Sequence, residues 1–95
     1  MIVVIGTNRR EYARTDDVFE AHRQLMTELL ADGTLVCSGP RDGGSVIILR
    51  LDDEQSARDL FARDPLVGEG YVELEIYRFT VGLADPATGL AERVP

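Results

Sequence analysis

Leu35-Val36-Cys37-Ser38-Gly39-Pro40-Arg41-Asp42-Gly43-Gly44-Ser45-Val46-Ile47-Ile48-Leu49-Arg50-Leu51 is the stretch that decides the fold. Leu35–Ser38 predicts a short strand that Gly39-Pro40 terminates. Arg41–Gly44 has turn chemistry, and Ser45–Leu51 predicts a returning strand, so the whole reads as a hairpin. What flanks it on each side then settles the architecture.

Upstream, Val18, Phe19, His22, Leu25, Met26, Leu29 and Leu30 recur at spacings of three and four, which makes one apolar stripe on a helix. Asp17 with Glu20 has the capping-box arrangement, Asp16 adds negative charge at the positive end of the dipole, and Gly33 supplies a stop at the C′ position. Before that helix, the β-branched run Ile2–Ile5, closed by Gly6, Thr7 and Asn8, predicts a buried strand, with an arginine-rich loop over 7–14. Downstream, Asp52 or Asp53 caps a second helix that turns Ala57, Leu60 and Phe61 inward and ends at Pro65. Val72–Val81 predicts a last, long strand.

The order strand, helix, strand, strand, helix, strand closes, with right-handed crossovers, into a four-stranded antiparallel sheet with both helices on one face. This is an α+β, ferredoxin-like βαββαβ fold. Residues 1–81 form that domain, and 82–95, with Pro86, Gly89 and Pro95 and no periodicity, form a C-terminal tail or arm. Ile2–Ile5 and Val46–Leu49 are apolar on both phases, and Tyr77, Phe79 and Val81 oppose Val72, Leu74 and Ile76 on the last strand. A sheet apolar on both faces needs a second cover, and no helix remains to provide it. The expectation is a homodimer packed sheet against sheet, a dimeric α+β barrel.

Composition limits the function. The chain has 95 residues and so allows one domain, and its formal net charge is −7. All ten cations are arginine, and the sequence contains no lysine. An acidic chain repels polyanions, and neither Ile2–Ile5 nor Ser45–Leu51 offers the aromatic platforms of an RNA-binding sheet, so no nucleic-acid partner is expected. The apolar runs are far shorter than the roughly 20 residues of a bilayer crossing, and no export signal is expected. One cysteine, Cys37, cannot pair within the chain, and one histidine cannot assemble a structural zinc site. A cytoplasmic setting and no metal are the expectations. A domain this small buries only about 60–65% of its unfolded surface, which again favours an oligomer.

Few residues are left for chemistry. His22 lies within the apolar stripe, so it is either a satisfied core histidine or a general acid/base, the side chain that titrates nearest neutral pH. Asp64 is followed by Pro65. That is an N-cap and N1 pattern for a short turn over Leu66–Glu69, or else Asp64 is the carboxylate that orients the imidazole from the same layer. Ser38, Gly39 and Pro40 end a strand beside that layer, either as simple turn chemistry or as a ligand contact. Cys37 reads as a small core side chain rather than a nucleophile. Arg14, with Arg9 and Arg10, is either a solvated loop residue or an attractor for an anionic ligand.

A helix with a single histidine, Gly33-x-Leu35, Ser38-Gly39-Pro40, a Gly44-Ser45 strand, a helix containing Ala57 and Asp64-Pro65-Leu66 together resemble the YCII-related family over residues 1–81. That resemblance implies a small dimeric α+β barrel and an active site at His22 and Asp64, with Ser38 nearby. One activity described in the family is dehydrochlorination of a chlorinated hydroxyhydroquinone, and related barrels include muconolactone isomerases and cofactor-free monooxygenases. The short Arg41–Gly43 loop and the proline-containing tail depart from the commoner pattern, so the substrate does not carry over.

Two functions compete. One is a cofactor-independent enzyme in which His22 and Asp64 move a proton, by elimination or isomerisation, on a small cyclic or aromatic metabolite. Ser38, Gly39, Pro40 and Arg14 would contact the substrate. The other is a non-catalytic module that binds a small ligand in the same place. A haem or monooxygenase role has little support without Trp or a second His.

Overall fold

In the computed structural model, which describes residues 1–90, four strands and two helices follow the expected order, and a third, one-turn helix is added before the last strand. They are β1 (Ile2–Asn8), α1 (Asp17–Ala31), β2 (Leu35–Arg41), β3 (Gly44–Leu49), α2 (Glu54–Phe61), α3 (Pro65–Gly68) and β4 (Val72–Arg78). The strands form one four-stranded sheet in the order β2-β3-β1-β4, every neighbour antiparallel. This is the ferredoxin-like arrangement that the hairpin and its flanks predict.

The β-branched residues of β1 decide where the core sits. Ile2 and Val4 point to the helices and are fully buried, as are Leu49 on β3 and Ala57 and Phe61 on α2. Leu25 and Leu29 of α1, Leu35, Ile47 and Ile76 complete this layer. Each large apolar side chain removed from water stabilises the fold by roughly 1.5–3 kcal/mol. Leu30, expected on the same stripe, is instead 63% exposed, because it follows Leu29 around the last turn of the helix and points away from the sheet.

Helix ends differ in detail from the sequence expectation. The N-cap of α1 is Asp16, one residue earlier than the proposed capping box. Its carboxylate turns back to accept from the Ala13 N–H at 2.7 Å rather than capping the helix. Gly33 follows the C-cap with φ +85°, the left-handed conformation that stops the helix. Asp53, not Asp52, caps α2. That helix ends at Phe61, and Pro65 starts α3 rather than ending α2.

The hairpin departs most. β2 does not stop at Gly39-Pro40 but runs to Arg41, tolerating Pro40 because an edge strand has one row of N–H groups without sheet partners. A bulge interrupts its register between Leu35 and Cys37. Beyond the bulge, Ser38 pairs with the buried, helix-facing Ile47, while Cys37 pairs with Ile48 on the opposite face. Cys37 is therefore exposed, not a core side chain.

That opposite face carries Val3, Ile5, Val46 and Ile48 in its middle, all only half-buried. β4 differs from the expected apolar phase. Beside Tyr77, Glu73 and Glu75 face the same way, opposite Thr7 and Ile5. β4 closes at Arg78, before the expected Val81, although the Phe79 N–H still reaches the Met1 carbonyl at 3.0 Å. Of the expected tail, Pro86–Thr88 makes a single 3-10 turn and 91–95 lie outside the described residues. No helix among the described residues is long and apolar enough to cross a membrane.

Candidate functional site

At the end of the sheet where β1 finishes and β4 begins, the helices and the loop over 9–14 stand off from the strands. They leave a cleft of about 740 Å³. His22 of α1 and Asp64 of α3 both line it, together with Ser38, Gly39, Pro40 and Arg14. The six residues expected to act on or contact a substrate thus border one space.

Asp64 is the fixed point of the site. Its side chain is 1% exposed, and its two oxygens have separate tasks. Oδ1 accepts from the Leu66 N–H at 2.9 Å and caps α3, whose first position is Pro65, a residue with no N–H to satisfy there. Oδ2 lies 2.6 Å from Nδ1 of His22. The Asp64 N–H in turn donates to the Phe61 carbonyl at 3.0 Å. The helix cap and the contact with His22 therefore coexist, one on each oxygen.

The consequence for His22 is a defined ring. A carboxylate only accepts, so the proton between the two groups belongs on Nδ1. Nε2 has no hydrogen-bond partner among the described residues. With 23% of the side chain exposed and the ring lining the cleft, Nε2 is the nitrogen left to meet a ligand. Phe19, 5.9 Å away and tilted by 39°, flanks the ring.

The strand side of the cleft owes its shape to two local features. The bulge in β2 brings the Ser38 hydroxyl to the helix-facing side. Gly6 on β1 keeps the floor low. A Cβ there would come within 2.7 Å of Ser45 Oγ and 3.1 Å of a Val72 methyl, and both residues line the cleft. Arg41 does not belong to the site. It is spent on the Gly6 carbonyl and Thr7 Oγ1, at 2.9 and 2.8 Å, which tie the hairpin to β1.

A family model described as the YCII-related domain matches residues 1–80. The chain belongs to the YCII-related family. No curated protein matches it in a direct comparison of sequences. The family match ends two residues beyond β4, so every strand and helix of this YCII-related chain that touches the cleft falls inside it.

Ser45 and the aromatic residues Tyr12 and Phe19 also line the cleft, and sequence reasoning did not assign them to it. The hairpin register would have pointed to Ser45, which pairs with Pro40. Tyr12 carried a signal too, as the one aromatic residue in an arginine-rich loop. Phe19 looked like core because it shares the apolar stripe. Among the described residues, no group of three or more His, Cys, Asp or Glu side chains is placed to hold a metal ion.

Proposed function

We propose that this chain is a cofactor-independent acid/base enzyme acting on a small cyclic or aromatic metabolite. The observation that carries the reading is the 2.6 Å contact between His22 Nδ1 and a buried Asp64, with Nε2 unpartnered among the described residues at a cleft. In this reading Nε2 takes a proton from a carbon or hydroxyl of the substrate, and Asp64 stabilises the imidazolium that forms. Isomerisation follows when Nε2 returns the proton to another atom. Elimination follows when the electron pair left behind becomes a double bond and expels a leaving anion. Ser38 and the backbone of Gly39 and Pro40 contact the substrate from the strand side.

Exchange in deuterium oxide tests it. Cyclic ketones and halogenated hydroxyaromatics incubated with the protein should lose an acidic C–H signal by proton NMR. His22→Gln should slow that loss by about 10²–10⁴. Binding without exchange in the intact chain would leave a ligand-binding module instead, and exchange that survives His22→Gln would overturn His22 as the base.

The proposal includes a homodimer through the open sheet face, supported by the half-buried Val3, Ile5, Val46 and Ile48 and by Tyr77, which is 51% exposed. Sedimentation should give twice 10.5 kDa, and Ile48→Arg should return the monomer mass. A monomer of the unaltered chain at micromolar concentration would contradict this. A single cysteine suits a reducing, cytoplasmic setting.

A further inference from the structure

One wall of the cleft is aromatic and leads to the candidate base. Tyr12 stacks on Phe19 at 5.9 Å, and Phe19 lies 5.9 Å from the His22 ring, while Tyr71, outside the lining, backs Tyr12 edge-on at 6.1 Å. The charge around this wall runs against that of the whole molecule. The chain carries a net −7, yet the cleft is lined by three arginines, Arg9, Arg10 and Arg14, against two carboxylates, Glu11 and Asp64.

Two of those arginines are already engaged. Arg9 pairs with Glu73 at 2.6 Å. Arg10 donates to the Glu69 carbonyl at 2.9 Å and lies over the Tyr71 ring at 4.1 Å. Arg14 has neither a hydrogen-bond acceptor nor a carboxylate partner among the described residues, and its guanidinium stands 5.9 Å from the centre of Phe19. It is the cation of the cleft that a ligand can use.

We infer that Arg14 is the anion-binding residue of the cleft, and that the ligand is a planar cyclic monocarboxylate. Its ring lies along Phe19 and its carboxylate on Arg14. A guanidinium presents two parallel N–H donors that match one carboxylate, and binds it more strongly than it binds a neutral amide. The flat aromatic wall selects a flat ring, since stacked or edge-on contacts need one. Charge counting limits the ligand to a single negative charge. Arg14 neutralises one, and a second would meet Glu11 with no other uncommitted cation among the described residues that line the cleft. The reacting atom's place beside Nε2 rests on the acid/base reading of the same cleft, whereas the charge preference does not.

Benzoate and benzamide, alike in ring and size but different in charge, are the probes. Titrated by NMR at neutral pH, both should shift the ring signals of Phe19 and His22, with benzoate binding at least about tenfold tighter. Arg14 is exposed, so its replacement leaves the core untouched. Arg14→Gln should bring the two probes to within about twofold by weakening benzoate alone, and Arg14→Lys should restore part of the difference. Equal affinities in the unaltered chain, no shift from either probe, or a benzoate preference that survives Arg14→Gln would overturn the assignment. The two readings of the cleft also fail separately. His22→Gln should retain the benzoate preference while losing proton exchange. Loss of the preference in His22→Gln places the anion on the imidazole and overturns the role of Arg14.

Discussion

Asp53 and Asp64 occupy the same position in two successive helices, each the N-cap, each in extended backbone just before the first helical residue. Their carboxylates are used differently. Asp53 is exposed and gives both oxygens to one neighbour, Oδ1 to the Ser56 N–H at 2.7 Å and Oδ2 to the Ser56 hydroxyl at 2.9 Å. Asp64 is buried, gives one oxygen to its own helix and turns the other to a histidine 42 residues away. A cap that needs only one oxygen leaves the second available. The short helix thus serves as a mount that holds a carboxylate rigidly at the cleft. What distinguishes the two aspartates is burial and the second oxygen, not the local motif.

Breaking the Asp64 side of this comparison should have the largest effect. Asp64→Asn keeps a good cap, because Asn serves as well as Asp there, so stability should change by less than about 1 kcal/mol. With its oxygen on the Leu66 N–H, however, the amide presents NH₂ to His22 and forces the proton onto Nε2, the wrong nitrogen. Turnover, read as the exchange rate, should fall by about 10²–10⁴. Asp64→Ala removes the cap and the imidazole partner together and should cost about 2–4 kcal/mol in chemical denaturation. A variant Asp64→Asn as active as the unaltered chain would reduce Asp64 to a cap.

The Asp53 side should respond only in stability. Asp53→Ala should lower Tm by roughly 5 °C and leave benzoate binding and exchange unchanged. Acid sharpens the contrast a little further. Hydrogen bonds from the Ser56 backbone N–H first, and its hydroxyl second, hold the Asp53 carboxyl below its ordinary range. Because its folded-state value is depressed, this contribution is complete above about pH 4 and is lost as pH falls through the folded value. In Asp53→Asn the corresponding part of the loss below pH 4 should disappear from a Tm–pH profile.

Much of this molecule could be read from periodicity. The 3.6-residue stripe of α1, the β-branched runs of β1 and β3 and the Gly–Pro punctuation give the element order, and the order gives the sheet. The bulge in β2 could not be read that way. It depends on how Leu35 and Cys37 register against β3, and it alone decides that Ser38 faces the cleft and Cys37 faces outward. Leu30 failed for a similar reason, since adjacent apolar positions in a last turn cannot both face the sheet. His22 and Asp64 were each legible as candidates, but their contact spans two helices, and nothing local to either residue encodes it. Arg14 stood out only once the partners of Arg9 and Arg10 were in place.

The chemistry proposed for the cleft turns on Asp64 holding the His22 proton on Nδ1, so that Nε2 is bare toward the cleft. Long-range ¹H–¹⁵N NMR of the single imidazole in its neutral form tests this directly. Nδ1 should be protonated and Nε2 unprotonated in the unaltered chain, with the pattern reversed in Asp64→Asn. A protonated Nε2, or a ring averaging between the two tautomers, would contradict it.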